Sequence, residues 1–168
     1  MIETYLNITE NRVLEGDKEL LIPRSIDGYP VTEIGALAIT DCYSSSVDKI
    51  IIPDGVTKIG NGAFKSCGID IKLPESLEEI GDFAFSGCDL GDLILPDGLR
   101  SIGPYAFSYC RGITELTIPD SVISIGDYAF SGCKNLKDIS IPDSELTIGN
   151  HAFSDTGLTS TAIPDHAL

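Results

Sequence analysis

One ten-residue sequence motif recurs along this chain in a nearly fixed form. It reads SIGDYAFSGC from Ser124, and close variants begin at Lys58, Glu79, Ser101 and Thr147. The prolines of the repeat lie 21 to 23 residues apart, at positions 53, 74, 96, 119, 142 and 164. Periods in the twenties are typical of solenoids, in which each unit buries its apolar side chains only by stacking on its neighbours. The repeat therefore predicts a solenoid of about six coils.

Each unit contains a short strand that ends at its proline. Leu116 and Ile118 alternate with Glu115 and Thr117, which is the pattern of a strand with one face inward. Proline cannot donate a hydrogen bond to a ladder, so it belongs at the strand end. A glycine then recurs in one register, at positions 35, 60, 81, 103, 126 and 149, and we expect it to adopt a positive φ there. The Ala-Phe pair that follows is predicted on a short turn or helical segment.

Two further columns recur once per unit and are predicted to be internal. The first is a phenylalanine spine, with Ile39 taking the same place in the first unit: Phe64, Phe85, Phe107, Phe130 and Phe153. The second contains the five cysteines, at positions 42, 67, 88, 110 and 133, whose wide spacing is unlike the close pairs of zinc sites. Adjacent coils would bring these cysteines within bridging range, but free buried thiols that pack as small apolar groups are the simpler expectation.

The combination of IPD, IG and AFSGC at this spacing resembles the BspA-like leucine-rich repeats, also called the Treponema pallidum type. The resemblance runs from about Leu20 to the end and includes IDGYPVTEIG at residues 26–35. It implies a right-handed, curved stack of short parallel strands, turns and short helical segments. It also implies a non-enzymatic binding module of protein–protein or adhesion type in a bacterial surface or secreted protein. The chain departs from the pattern at Glu145, Thr156 and Thr161.

Residues 1–19 are predicted to form an N-terminal cap with a short hairpin, and residues 20–168 the leucine-rich repeat solenoid, ending in a partial repeat. The last strand would leave an open edge, so we expect either self-association through the C-terminal coil or a chain cut from a longer protein. No signal peptide is present in this sequence. An extracellular or cell-surface location is therefore implied by the family resemblance alone.

The charge balance restricts the partners. The chain has 11 Lys and Arg against 26 Asp and Glu, giving a formal charge of −15 and a pI near 4.2. Nucleic acids and anionic membrane surfaces both attract basic proteins, so neither is expected as a partner. No apolar stretch is long enough for membrane insertion. We expect a protein ligand, basic or host-derived, and no cofactor.

The side chains that point away from the core on the strands before each proline form the first candidate binding surface, which we call the outward strand face. Its first column reads Glu19, Lys49, Asp70, Asp92, Glu115, Asp138 and Ser160, with four carboxylates in consecutive coils. It could be a merely solvated acidic face, a docking surface for a basic protein, or a weak calcium site. The residues selected for binding are Asp70, Asp92, Glu115, Asp138, Ile94 and Thr117.

A second candidate is an aromatic stripe two residues before the core phenylalanines, formed by Phe83, Tyr105, Tyr128 and His151. These rings could cover neighbouring backbone or bind a protein or sugar. Coils of this length also build parallel β-helices that bind or cleave polysaccharides, which is the alternative function. An active site should break the repeat, yet every acidic residue of interest lies on a repeated position and only two histidines are present. We therefore expect no enzyme, no catalytic residue and no metal site.

Overall fold

The computed structural model describes residues 19–40, 48–68, 70–91, 93–143, 145–159 and 163. These residues form a parallel β-solenoid of leucine-rich-repeat type, built from short strands and turns. The strands are β1 Glu19–Leu21, β2 Ser25–Ile26, β3 Tyr29–Pro30, β4 Glu33–Ile34, β5 Lys49–Ile51, β6 Lys58–Ile59, β7 Asp70–Lys72, β8 Glu79–Ile80, β9 Ser101–Ile102, β10 Glu115–Thr117, β11 Ser124–Ile125, β12 Asp138–Ser140 and β13 Thr147–Ile148.

One sheet runs through the whole described stack. We call it the long sheet, and its six parallel strands follow the order β4, β6, β8, β9, β11, β13. The isoleucine of each strand lies beside the isoleucine of the next, and Ile34, Ile59 and Ile80 are almost completely buried. Each of these strands supplies one apolar side chain to the core and one residue to the surface.

The strands before the prolines form two separate sheets instead of one. Strands β1, β5 and β7 pair in parallel, and β10 pairs with β12. The intervening segment, residues 93–95, is not a strand, although its Leu95 is buried and its Ile94 exposed as the alternation predicts. The prediction of a strand in every coil is therefore wrong for this coil.

The break coincides with a change in the length of the turn before the strand. From cysteine to proline the chain takes 74 − 67 = 7 residues in the coil of β7, 96 − 88 = 8 in the next, and 119 − 110 = 9 and 142 − 133 = 9 in the following two. The two coils of equal length pair as β10 and β12, whereas residues 93–95 differ by one residue from both neighbours.

The phenylalanine spine is confirmed. Consecutive rings from Phe64 to Phe153 stack with centroids 5.1 to 5.3 Å apart and interplanar angles of 2 to 11°. The backbone carries the same register, since Phe107 N–H donates to Ala129 O at 2.7 Å. Ile39 N–H donates to Ala63 O at 2.8 Å, so Ile39 does hold the first place of the column.

Glycine recurs at these positions because the backbone of the preceding coil approaches too closely for a side chain, and not because the residue adopts a positive φ. A Cβ atom at Gly103 would lie 2.8 Å from both the backbone N of Asp82 and the carbonyl carbon of Gly81. The positive φ occurs two residues later, where Tyr105 and Tyr128 have φ of 56° and 57°. Our expectation for these glycines was therefore wrong. The helical alternative for the Ala-Phe segment is also not realised, because the segment is a turn in each described coil.

A tight antiparallel hairpin, β2 and β3, precedes the long sheet. Asp27 and Gly28 at its tip have φ of 51° and 83°, as a two-residue turn between antiparallel strands requires. The predicted N-terminal cap lies outside the described residues except for Glu19. The final partial coil also lies outside them, apart from the buried Ile163, so the predicted C-terminal self-association stays a prediction.

Candidate binding surface

The strand register aligns the residues of the outward strand face. Glu19 lies beside Lys49, which lies beside Asp70, and on the other side of the break Glu115 lies beside Asp138. The outward orientation is confirmed in the residues that the structure describes, since Asp70, Glu115 and Asp138 are exposed. Asp92, which was expected to join the two groups of carboxylates, lies outside the described residues.

The two ends of this surface differ in charge compensation. Lys49 Nζ lies 3.5 Å from Glu19 Oε1, forming an ion pair across β1 and β5. Within the described residues, Asp70, Glu115 and Asp138 make no ion pair. In water, two carboxylates about 5 Å apart repel each other by about 0.8 kcal/mol, which a cationic partner would relieve. The uncompensated charge therefore lies in the middle and C-terminal part of the outward strand face.

Two grooves flank residues 93–95, where the sheet is interrupted. The first has a volume of about 450 Å³ and lies between this segment and β7; Lys72 and two carboxylates, Asp70 and Glu75, are among its lining residues. The second, of about 510 Å³, extends from this segment over β10 to Asp138, Ile139 and Ser140 of β12. Ile94 lines both grooves and is 77% exposed, which is unusual for an isoleucine beside a buried core. We expect exposed apolar side chains of this kind at interaction sites.

In the structure the four rings of the aromatic stripe stack on one another in a continuous row. Phe83 lies 4.7 Å from Tyr105, Tyr105 lies 4.9 Å from Tyr128, and Tyr128 lies 5.1 Å from His151, measured between ring centroids. The ring faces therefore cover one another, and the ring edges face solvent. Each of the four residues has a φ of 55 to 57°, a strained region for a non-glycine residue.

The aromatic stack ends at Gly62, which occupies the same position one coil before Phe83. Leu37 extends over this glycine, since a Cβ there would lie 2.7 Å from Leu37 Cδ2. Lys65 Nζ lies 5.7 Å from the centre of the Phe83 ring. A cation at this distance is attracted to the ring quadrupole, so Lys65 contacts the end of the stack electrostatically.

The cysteine column links successive coils. The thiols of Cys88, Cys110 and Cys133 donate to the carbonyl oxygens of Phe64, Phe85 and Phe107 at 2.9 to 3.1 Å, each one coil before. In the last coil Thr156 takes the cysteine position, and its hydroxyl donates to Phe153 O of its own coil at 2.8 Å.

The three free thiols are poor nucleophiles. Burial raises the pKa of Cys88 and of Cys133 to about 12, and burial, with the neighbouring Cys133 and Cys88, raises the pKa of Cys110 well above its ordinary range. They therefore remain protonated at neutral pH and are structural.

Cys67 is the exception in this column, because it is disulfide-bonded. The expectation of free thiols is wrong for this residue, and Cys42 lies outside the described residues. A disulfide sulfur carries no hydrogen, so the 3.3 Å distance between Cys67 Sγ and Ile39 O is a contact and not a hydrogen bond.

In the described part of the chain, no three His, Cys, Asp or Glu residues converge as a metal site would require. The calcium hypothesis for the outward strand face thus has no ligand set among these residues. No described helix is long and apolar enough to cross a membrane. His151 is the fourth ring of the aromatic stripe, as its position in the repeat predicts.

Sequence reasoning missed the two grooves and the break beside them. Leu93 and Asp97 line the groove beside β10, and neither was selected. The distance from cysteine to proline changes at this coil, but it also changes between the coils of β5 and β7, which pair in register, so this length alone does not locate the break.

The chain matches a family model described as BspA type leucine rich repeat region, in six copies over residues 32–159. It is similar to solved structures of three bacterial proteins. A leucine-rich cell surface protein from Faecalibacterium prausnitzii is 31% identical over 74% of this chain, with a TM-score of 0.64. The pneumococcal vaccine antigen PcpA is 26% identical over 89%, with a TM-score of 0.76, and a T. pallidum leucine-rich repeat protein is 26% identical over 88%, with a TM-score of 0.62.

The chain spans only part of these relatives. It covers 32% of the F. prausnitzii protein and 41% of PcpA, whereas it covers 78% of the T. pallidum protein. No curated protein of known function matched the sequence. The comparisons thus concern the repeat region that these proteins share.

Proposed function

Because this chain belongs to the BspA-type leucine-rich repeat family, we propose that it is a non-enzymatic module that binds a protein through its outward strand face. The observation that carries the proposal is the group of exposed carboxylates, Asp70, Glu115 and Asp138, that have no ion-pair partner among the described residues. The same residues surround the exposed Ile94. An exposed apolar side chain among several carboxylates is a common arrangement for recognition of a partner of opposite charge.

The partner is a basic protein, which binds by charge complementarity. A formal charge of −15 attracts a cationic partner over distances of about one Debye length, near 8 Å at physiological salt, and raises the association rate. Burial of Ile94 would then contribute affinity at short range, about 25 cal/mol per Å² of apolar surface removed from water. Affinity should therefore fall as the salt concentration rises.

The module acts outside the cell or on its surface, as part of an adhesion-type protein. Support comes from the F. prausnitzii relative, which is described as a cell surface protein, and from the disulfide at Cys67, because disulfides persist in oxidising compartments. We keep the aromatic stripe as the second candidate surface, with the ring edges available to a protein or a sugar.

The test begins with capture of partners from host and bacterial surface extracts, followed by affinity measurement with each purified partner. We expect the double variant Glu115→Lys with Asp138→Lys to weaken binding at least tenfold. Asp120→Lys with Asp143→Lys is the matched control, since it makes the same charge change at exposed residues after the prolines. Equal affinity of the two double variants would refute the role of the outward strand face.

A further inference from the structure

We propose that the cavity between Leu37 and Phe83, which we call the ring slot, binds an aromatic side chain of a partner protein that stacks on Phe83. The ring slot shares no lining residue with the two grooves of the outward strand face, so this inference goes beyond the proposed function. It is carried by three observations: a ring missing from the column of the aromatic stripe, an apolar cavity in its place, and a glycine that the backbone does not require.

The backbone places Leu37 and Gly62 in the same column as Phe83. Each member of the column donates its N–H to the residue that precedes the next member. Leu37 N–H donates to Asn61 O at 2.9 Å, and Gly62 N–H donates to Asp82 O at 2.7 Å. The column therefore holds a leucine in its first coil, no side chain in the second, and a ring in the third.

The glycine in the second coil is not required by the backbone. Gly62 has a φ of 62°, and Leu37, Phe83 and Tyr105 adopt φ of 55 to 56° at the same position with a side chain. Apart from its chain neighbours, a Cβ at Gly62 would approach only the side chain of Leu37 among the described residues, at 2.7 Å from the flexible Cδ2. At Gly103, by contrast, backbone atoms exclude a Cβ. The space beside Gly62 could thus hold a ring of the chain itself.

A cavity of about 330 Å³ takes the place of this missing ring. Its apolar walls, Leu37 and Phe83, are 63% and 40% exposed. Tyr105 covers one face of Phe83 from the following coil, so the other face is directed toward the ring slot. Neighbouring rings of the stripe lie 4.7 to 5.1 Å apart, and a gap of one coil therefore accommodates one further ring in offset stacking.

The rim of the ring slot favours a neutral ring on a peptide main chain. Lys65 and Asp82 both line it and carry opposite charges, so neither an anionic nor a cationic aromatic molecule is preferred. The exposed Lys65 has its Nζ 5.7 Å from the centre of the Phe83 ring, and its flexible side chain can move aside. Asn61 accepts the N–H of Asp82 with Oδ1 at 3.0 Å, which leaves its amide nitrogen to donate to a main-chain carbonyl of the ligand. Aromatic side chains that fill pockets are typical anchors of protein interfaces.

The experiment titrates the whole chain with a blocked heptapeptide of glycine and serine that has one central phenylalanine. The ring protons of Phe83 and the methyl protons of Leu37 are followed by NMR. A matched peptide with cyclohexylalanine keeps the apolar size of the side chain but has no aromatic face, and phenylacetate supplies a ring with a charge and no main chain. We expect the phenylalanine peptide to bind with a Kd on the order of 1 mM and to shift the Phe83 ring protons upfield. Both other probes should bind at least fivefold more weakly.

Protein variants locate the site. Gly62→Phe should fill the ring slot with a ring of the chain and weaken binding of the phenylalanine peptide at least tenfold, without lowering the melting temperature. Phe83→Leu removes the stacking face and should weaken binding at least fivefold, which tests the site even if Gly62→Phe does not fold. Tyr109→Leu is the matched control, because it removes another exposed ring that does not line the slot, and it should change binding less than twofold.

The outcomes are distinct from those of the proposed function. Equal binding of the cyclohexylalanine peptide, or no saturable shift at millimolar concentration, overturns aromatic recognition. Tighter binding of phenylacetate overturns the protein side chain as the occupant in favour of a free aromatic acid. Unchanged binding in both Gly62→Phe and Phe83→Leu overturns the location. The double variant Glu115→Lys with Asp138→Lys should bind the phenylalanine peptide as the native chain does, and a loss there would overturn the independence of the two sites.

Discussion

The long sheet and the outward strand face are built from the same coils, yet only the long sheet is continuous. In the long sheet Lys58 Nζ lies 4.0 Å from Glu33 Oε1 and 3.8 Å from Glu79 Oε2, so these three charged side chains form ion pairs. The other outward positions of this sheet hold the uncharged residues Ser101, Ser124 and Thr147. On the outward strand face the ladder is interrupted at residues 93–95, and Asp70, Glu115 and Asp138 make no ion pair within the part of the chain that the structure describes. The two faces of the same coils therefore differ both in strand pairing and in charge compensation.

Spacing within the repeat also differs between the two regions. The distance from the repeated glycine to the core phenylalanine is four residues in each coil from Gly60 to Phe153, whereas the distance from cysteine to proline is 7, 8, 9 or 9 from Cys67 onward. The constant spacing accompanies the continuous ladder of the long sheet, and the variable spacing accompanies the face on which the ladder is interrupted.

The largest effect is expected from the same substitution made in the two regions. Ile102 in β9 is 2% exposed and Ile94 is 77% exposed. Ile102→Ala should lower the free energy of unfolding by about 2 to 5 kcal/mol because it leaves a cavity in the core. Ile94→Ala should change it by less than about 0.5 kcal/mol while weakening partner binding. Urea denaturation of both variants checks this, and similar losses would mean that the two regions contribute equally to folding.

The next effect concerns the free thiols in the core between the two regions. Their native pKa values lie well above 9, the unfolded value, so at pH 10 the unfolded chain has ionised thiols and the native chain has not. A raised pKa of the folded state means that stability is complete below pH 9 and falls as the pH rises. We expect a loss of about 1 kcal/mol for each thiol between pH 9 and pH 10, measured by denaturant titration.

The control for this prediction is the double variant Cys88→Ala with Cys133→Ala, in which about one third of the slope attributable to thiols should remain. A thiol count gives a second check. One disulfide consumes two of the five cysteines, so denatured protein should titrate 5 − 2 = 3 thiols without reductant and five after reduction. A slope unaffected by the double substitution would show that other groups cause the pH dependence.

A smaller effect is expected from alanine at two glycines. At Gly103, after β9, a Cβ would lie 2.8 Å from backbone atoms of the preceding coil, whereas at Gly98, after residues 93–95, the nearest atom is Glu75 O at 3.6 Å. Gly103→Ala should cost about 1 to 3 kcal/mol through overpacking. Gly98→Ala should be neutral or stabilise by up to about 1 kcal/mol, because alanine restricts the unfolded chain. Thermal and urea melts of both variants test this, and a tolerated Gly103→Ala would contradict close coil packing.

The smallest effect is a difference in sign between two charge removals. Glu115→Gln should raise the free energy of unfolding by up to about 0.8 kcal/mol, because it removes repulsion from the neighbouring Asp138. Glu79→Gln should lower it by up to about 1 kcal/mol, because it removes an ion pair with Lys58. Both differences should shrink at high salt. Changes of the same sign would mean that charge compensation does not distinguish the two faces.

Features that depend on a single coil and its exact repetition could be predicted from the sequence. The spacing of Phe64 to Phe153 predicted the spine, and the alternation at residues 115–118 predicted which side chains face outward. These predictions hold because identical coils stacked in register must place identical side chains above one another.

Features that depend on how two coils fit together were not predictable in the same way. The role of Gly103 depends on the backbone of Asp82 one coil before, which a local pattern does not show. Cys67 differs from Cys88 in bonding although both fill the same motif position. The break at residues 93–95 and the two grooves beside it depend on how this coil fits against its neighbours.

The hydroxyl of Thr156 has a consequence for how the molecule opens. Each buried thiol binds a carbonyl of the preceding coil, but Thr156 binds within its own coil, so this side chain does not tie the last coil to the stack. Ile148 of that coil is also less buried than its counterpart Ile125, and the exposed Glu145 takes the place of the buried Val122. Local opening therefore begins at the C-terminal end and proceeds coil by coil, so amide protons near β13 exchange with solvent before those near β9.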